Sequence, residues 1–132
     1  MHKRTGEKML KAQFFIRKTV LYVRFSGELD QRSIEKVRVR VSELISNYRI
    51  EYLVINCREL TFMDSSGIGF IIGRYNQLKV VDGKIIICEM NDLIKRIVNI
   101  SGLSRIVNLT KTEDEANYLV EGMYEKVHKL RV

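Results

Sequence analysis

Apolar and polar residues follow one another in short blocks along this chain, and their spacing predicts the order of strands and helices. Two apolar runs, residues 12–16 and 20–26, are separated by three polar residues and predict a β-hairpin. The continuous apolar run at residues 52–57 predicts a strand that is buried on both faces. Two further apolar runs, residues 84–88 and 105–109, predict the remaining strands.

Four other segments repeat their apolar residues at intervals of three and four, which predicts amphipathic helices. They span residues 31–48, 67–82, 92–101 and 113–127. The first is locally ambiguous because Val37, Val39 and Val41 alternate as in a strand, but the longer window favours a helix with Val39 on its exposed, basic side. Residues of the preferred N-cap types precede the four helices. These caps are Asp30, Ser66, Asn91 and Thr112.

Strands that alternate with helices define an α/β fold, which we expect to be a mixed sheet of about four to five strands packed against about four α-helices. The length fits one domain over residues 12–128, between a basic leader at residues 1–11, expected to be flexible, and a tail at residues 129–132. The periodicities predict a core that draws on every helix after the first and on two strands. Its members are Val54, Ile55, Ile71, Ile72, Ile86, Ile97 and Leu119.

The most informative chemistry follows the apolar strand, where the carboxylate of Asp64 precedes the hydroxyls of Ser65 and Ser66 at the start of a helix. A serine there lies at the positive end of the helix dipole. A nucleophilic serine would need a neighbouring base, and the chain has only His2 and His128, both near its ends. The pattern favours a serine that a partner modifies over a catalytic one.

Two glycines, Gly67 and Gly69, lie in the first turn of the same helix. Because they have no side chains, they leave space beside the serines for another protein to approach. The segment lacks the Gly-Lys-Ser/Thr ending of a nucleotide-binding loop. Judged from the residues alone, a plainer interpretation stays open, in which Ser66 only caps the helix and the glycines only allow close packing. In parallel sheets, function gathers beyond the carboxyl ends of the strands, and this rule places Asp30 beside the serines.

Composition limits the remaining function classes. The net charge of +7 suggests nucleic acid, but the cations are spread along the chain and do not alternate with aromatic residues as base-stacking surfaces require. No apolar run approaches the roughly 20 residues that cross a membrane, so we expect a cytoplasmic protein. Cys57 and Cys88 each end an apolar run and are expected to be buried thiols, neither a disulfide nor a metal pair. No metal or other cofactor is expected.

Three segments together resemble the bacterial anti-sigma factor antagonists of the STAS (sulphate transporter and anti-sigma factor antagonist) domain family, most closely its sporulation members. They are residues 27–30 (Gly-Glu-Leu-Asp), residues 62–69 with the following Gly73-Arg74-Tyr75, and residues 101–103 (Ser-Gly-Leu). The similarity covers about residues 12–117. It implies a STAS domain and a regulatory binding protein that is not an enzyme.

The resemblance also implies a switch. The family's acceptor serine, directly after the aspartate, matches Ser65. An anti-sigma factor with serine kinase activity would phosphorylate it, and a serine phosphatase would reverse the modification. The unphosphorylated form would bind the anti-sigma factor and so release the sigma factor. The residues implied in this binding are Asp30, Asp64, Ser65, Ser66, Gly67 and Gly69. The alternatives are a scaffold STAS subunit of a stress-signalling complex, a nucleic-acid binder that uses the basic face of the first helix, and a small serine hydrolase.

Overall fold

A five-stranded mixed sheet forms the centre of the molecule, in the order β1-β2-β3-β4-β5. The computed structural model describes the backbone of residues 9–129 and the side chains of residues 9–125. The elements are β1 (Lys11–Arg17), β2 (Val20–Leu29), α1 (Ile34–Asn47), β3 (Tyr52–Met63), α2 (Ser65–Lys79), β4 (Lys84–Cys88), α3 (Asp92–Ile100), β5 (Asn108–Leu109) and α4 (Glu113–Lys129). Most of the expected leader, the last three residues and the side chain of His128 lie outside these described residues.

The strand directions follow from the connections. β1 and β2 form the predicted antiparallel hairpin, whereas β2, β3, β4 and β5 are parallel neighbours. Each parallel step is made through one helix, α1, α2 or α3. Parallel strands need such crossovers, because the end of one strand and the start of the next lie at opposite edges of the sheet. The predicted α/β class, with a mixed sheet and four helices, is confirmed.

The sheet separates two layers of apolar contacts, because successive side chains of a strand point to opposite faces. On one face Leu53 and Ile55 of β3 belong to the large cluster that contains the buried side chains of α1, α2 and α3. On the other face Tyr52 and Val54 pack with Ala116 and Val120 of α4. Fully burying one large apolar side chain contributes roughly 1.5–3 kcal/mol, and β3 contributes such side chains to both faces of the sheet.

β3 continues well beyond its apolar run. Its pairing with β4 ends at Asn56, but its pairing with β2 continues to Met63, with register shifts between Arg24 and Ser26 and between Gly27 and Glu28. At the end of this two-stranded extension Leu29 lies opposite Met63. The chain therefore leaves the sheet at two neighbouring points, one leading into α1 and the other into α2.

Most of the predicted core is confirmed. Val54, Ile55, Ile71 and Ile86 are buried, and Ile97 and Leu119 are partly buried against the two clusters. The prediction for Ile72 is wrong, since it is 40% exposed. The buried face of α2 is instead made of Phe70, Ile71, Arg74 and Leu78. These four positions recur at helical spacing, so geometry places the long stem of Arg74 inward although its charge argues against burial.

Several element boundaries also differ from the predictions. α1 begins at Ile34 and not at residue 31, and Tyr48, just beyond its end, is 58% exposed. The predicted last strand is reduced to two residues because the chain first forms a 3₁₀ turn at Leu103–Arg105. Asn91 and Thr112 cap their helices as predicted, by accepting hydrogen bonds from the N–H groups of Ile94 and Glu115.

Candidate functional site

Asp64 is the residue that caps α2. Its Oδ1 accepts a hydrogen bond from the Ser66 N–H at 2.8 Å, and its carbonyl oxygen accepts from the Gly67 N–H at 3.0 Å. Asp64 itself is extended, with φ −107° and ψ −168°, because β3 runs up to Met63. The prediction that Ser66 is the N-cap is therefore wrong. Asp64, Ser65 and Ser66 are all of residue types that can cap a helix, and Asp64 takes this role because β3 ends immediately before it.

Ser65 is the first residue of α2 and not, as predicted, one residue outside it. It is exposed, whereas Ser66 is half-buried. Among the described residues neither hydroxyl has a hydrogen-bond partner, although the backbone N–H of Ser66 is taken by Asp64. What distinguishes the two serines is thus exposure, and the exposed hydroxyl belongs to Ser65.

Asp30 is fixed in a tight turn that precedes α1. Its Oδ1 accepts from the Arg32 N–H at 3.0 Å, and its Oδ2 accepts from Arg32 Nη2 at 2.6 Å. These bonds from Arg32 hold the pKa of the Asp30 carboxyl below its usual value, so it is charged. The residue is only 8% exposed. Asp30 is not the N-cap of α1, because Ser33 occupies that position and makes no side-chain cap.

The Asp30 turn and the start of α2 lie side by side, as predicted from the sheet. The Leu29 carbonyl oxygen accepts from the Asp64 N–H at 3.2 Å, and Oδ2 of Asp64 accepts from the Gln31 N–H at 3.4 Å. One carboxylate of Asp64 therefore caps the helix and ties the neighbouring loop to it. The residue before Ser65 is therefore held by hydrogen bonds to both α2 and the Asp30 turn.

The two glycines have different roles. Gly67 is buried, and a Cβ at this position would collide with the Met63 side chain and lie 3.2 Å from Cδ2 of Leu29. Gly67 therefore allows the first turn of α2 to rest on the end of β3, and its expected contact with a partner is not available at the surface. Gly69 is exposed, and a Cβ there would meet nothing within 4 Å.

Ser65 begins an exposed stripe along α2. Ser65, Gly69, Ile72 and Asn76 recur at intervals of three and four and are all exposed, and we call them the α2 stripe. Ile72 gives this stripe an apolar centre that the sequence reasoning missed, because it assigned that residue to the core. The helical spacing could have identified it, because Ile72 lies two turns after Ser65 on the same side of the helix.

Other chemistry finds no support among the described residues. They contain no group of three His, Cys, Asp or Glu side chains placed to hold a metal ion. Cys57 and Cys88 are buried and unpaired, and burial raises the pKa of the Cys57 thiol to about 12. Within the described part of the chain, every helix is too short or too polar to span a bilayer.

The STAS domain model matches residues 12–116, and the chain belongs to this family. Among curated relatives, the anti-sigma F factor antagonist of Paenibacillus polymyxa is 38% identical over 102 residues, which cover 77% of this chain and 86% of the relative. The unphosphorylated anti-sigma factor antagonist SpoIIAA superposes with a TM-score of 0.71 at 27% identity, covering 85% of this chain and 99% of that one. Phosphorylated SpoIIAA, the Bacillus cell fate determinant, gives a TM-score of 0.67 at 26% identity, covering 83% and 99%.

Proposed function

We propose that this protein is an anti-sigma factor antagonist that is switched by phosphorylation of Ser65. In its unphosphorylated form it binds an anti-sigma factor, and the sigma factor held by that partner is released. The observation that carries the proposal is the exposed Ser65 hydroxyl at the first position of a capped helix, beside the ordered Asp30 turn. The relatives support it, since they are antagonists of anti-sigma factors and one of them has both an unphosphorylated and a phosphorylated form.

The binding surface in this proposal joins the Asp30 turn to the α2 stripe. Ser65 and Gly69 offer a low, open approach, and Ile72 supplies apolar area. The charged Asp30 carboxylate and its partner Arg32 lie at the adjoining corner. Such a patch suits a protein partner, because a small apolar centre with a polar rim is the usual composition of a transient interface.

Phosphorylation would act here by obstruction. A phosphate adds about 1.5–2 negative charges and three acceptor oxygens. The positive end of α2 can hold this charge, an interaction that typically contributes about 0.3–1 kcal/mol, so the domain keeps its fold. A docked partner would instead meet new bulk and charge next to Asp64. A loss of about 3 kcal/mol lowers affinity by more than a hundredfold, enough to reverse the choice of partner.

The kinase that adds the phosphate and the phosphatase that removes it are both partners of this protein in the proposal. The anti-sigma factor acts as the serine kinase, and a separate serine phosphatase restores the free hydroxyl. The antagonist is their substrate and catalyses nothing itself. In this proposal all of these steps take place in the cytoplasm, and none requires direct contact with nucleic acid or membrane.

Incubation with a purified anti-sigma F factor kinase and ATP, followed by mass spectrometry, tests the proposal. We expect one phosphate, on Ser65. Ser65→Ala should resist modification and bind the kinase persistently, and the matched control Ser66→Ala should be modified normally. A phosphate on Ser66 with Ser65 bare, or an unmodified wild-type protein, would refute it.

A further inference from the structure

A cavity of about 460 Å³ lies beside the edge strand β5, between α3 and the segment that leads from β5 to α4. Its lining combines two cations with polar and apolar side chains, and none of the described acidic residues lines it. The lining residues are Met90, Lys95, Asn99, Leu109, Thr110 and Lys111. Sites that bind small molecules usually have volumes of roughly 300–1,000 Å³. None of these residues belongs to the Asp30 turn or the α2 stripe.

The polar groups of the cavity are available to an anion. Lys95 and Asn99 are exposed and one turn apart on α3, and Lys111 lies two residues after β5. Within the described part of the chain, neither ammonium group has an ion-pair partner and the Asn99 side chain makes no hydrogen bond. A lysine ammonium carries three N–H donors and an asparagine amide carries two. The cavity therefore offers donors and positive charge together.

The acids nearest in sequence are held outside the cavity. Glu89 accepts a hydrogen bond from the Glu113 N–H at 2.9 Å, and Glu115 accepts one from the Lys111 N–H at 2.9 Å. Both carboxylates are thus engaged by the backbone around the start of α4, and neither lines the cavity. The whole chain has a net charge of +7, so its field also favours the approach of an anion.

Both walls of the cavity are held by hydrogen bonds to the rest of the fold. The Thr110 N–H donates to the Ile87 carbonyl oxygen at 3.1 Å, which ties the segment after β5 to β4. On the other wall, Asn91 caps α3, and its Nδ2 donates to the Leu60 carbonyl oxygen at 3.1 Å. Walls that are already in place lower the entropy cost of binding a ligand.

The apolar part of the lining determines what kind of anion fits. Met90 is half-buried and Leu109 is 39% exposed, so both present apolar surface to water beside the two lysines. A bare inorganic ion would leave this surface wet. An apolar body attached to the anionic group would cover it, and the removal of apolar area from water favours binding.

We propose that this cavity binds a small organic anion, in which a phosphate or carboxylate is carried on an apolar body. Lys95 and Lys111 contact the anionic group, and the Asn99 amide donates to it. Met90 and Leu109 pack against the apolar body. The inference does not depend on the proposed function, because the cavity lies outside the surface that is assigned there to the anti-sigma factor.

Titration of the ¹⁵N-labelled protein with phenyl phosphate tests the proposal. We expect saturable ¹H–¹⁵N shift changes at residues 95–99 and 109–111. Benzyl alcohol, which lacks the charge, and inorganic phosphate, which lacks the apolar body, should each bind at least tenfold more weakly. An affinity for either of them equal to that for phenyl phosphate would refute a site that recognises both parts, and a wild-type protein without saturable changes at these residues would refute the site altogether.

A double variant separates this site from general attraction to a basic protein. Lys95→Met with Lys111→Met removes both cations and should weaken phenyl phosphate binding at least tenfold, while the melting temperature changes little because both side chains are exposed. Lys36→Met with Lys84→Met is the matched control, since it removes two exposed lysines outside the cavity and should bind like the wild type. Unchanged affinity in the first variant, or equal losses in the two, would overturn the proposal.

Discussion

Asp64 shows how much of the candidate site depends on a single side chain. Its two carboxylate oxygens accept from different segments, Oδ1 from the Ser66 N–H and Oδ2 from the Gln31 N–H. The first bond defines where α2 begins, and the second fixes the Asp30 turn beside it. Because Ser65 is the residue between the cap and the rest of the first turn, its exposure is a consequence of these two bonds.

Replacing Asp64 tests this assignment. Asp64→Ala should lower the free energy of unfolding by about 1–2 kcal/mol, since the cap and the link to Gln31 are lost together. Ser66→Ala should change it by less than ~0.5 kcal/mol, since its hydroxyl has no partner among the described residues. Urea unfolding measures both. Asp64→Asn keeps an accepting oxygen and serves as the control, and a larger cost for Ser66→Ala than for Asp64→Ala would restore Ser66 as the cap.

Gly69 tests the docking surface. A Cβ at Gly69 meets nothing within 4 Å, so Gly69→Trp should leave the thermal transition within a few degrees of the wild type. Its bulk should nevertheless weaken the affinity for the anti-sigma factor at least tenfold, because it stands in the middle of the α2 stripe. Gly122→Trp is a matched control, since Gly122 is equally open but lies on α4, across the sheet. Equal binding by the two variants in titration calorimetry would place the interface elsewhere.

At the scale of elements, α4 is tied to the sheet by a polar network separate from its apolar contacts. Glu113 at its first turn accepts from Arg24 Nη2 at 2.6 Å and from Asn56 Nδ2 at 3.0 Å. Its own N–H donates to the Glu89 carboxylate at 2.9 Å. Arg24 also lies over the Phe15 ring, with its guanidinium carbon 4.6 Å from the ring centre. Strands β1, β2 and β3 thereby all contribute to the docking of one helix.

This network makes part of the stability dependent on pH. The hydrogen bond from Arg24 lowers the pKa of Glu113 from its usual 4.5, and the bond from Asn56 lowers it further. A carboxyl whose pKa is lower in the folded state stabilises the fold above its unfolded pKa and loses that effect as the pH falls through the folded value. Urea unfolding of wild type and Glu113→Gln should therefore differ at pH 7 by about 1 kcal/mol and converge in acid. A difference that stays constant with pH would show that the carboxylate charge contributes nothing.

The elements also show what sequence patterns predict well and where they fail. The apolar runs and helical spacings identify the helices and strands because each element buries one side. They miss the continuation of β3 to Met63, since that extension is covered by one neighbour only and alternates little. They also place Ile72 in the core, because hydropathy favours the burial of an isoleucine, whereas the inner face of α2 is set by the packing of Phe70, Ile71 and Leu78.

For the whole molecule, the candidate site depends on the order of the strands. β2 and β3 are parallel neighbours, so Asp30 and Ser65, although far apart in sequence, follow adjacent strand ends. This much could be predicted from the α/β alternation. The exposure of Ser65 over Ser66 could not, because it depends on the residue at which β3 gives way to α2. The burial of Arg74 depends on how α2 packs against the rest of the fold, and no local pattern encodes that.

The same architecture predicts how far the switch reaches. The first turn of α2 rests on β3 through Gly67, whereas α4 lies across the sheet, so a phosphate on Ser65 has no packed element to displace. We expect the phosphorylated protein to melt within about 4 °C of the unmodified form, a shift that corresponds to ~1 kcal/mol for a domain of this size. Its ¹H–¹⁵N shift changes should be confined to residues 30–33 and 64–70, while affinity for the anti-sigma factor falls at least a hundredfold. Changes that extended to α4 would instead reveal a conformational switch.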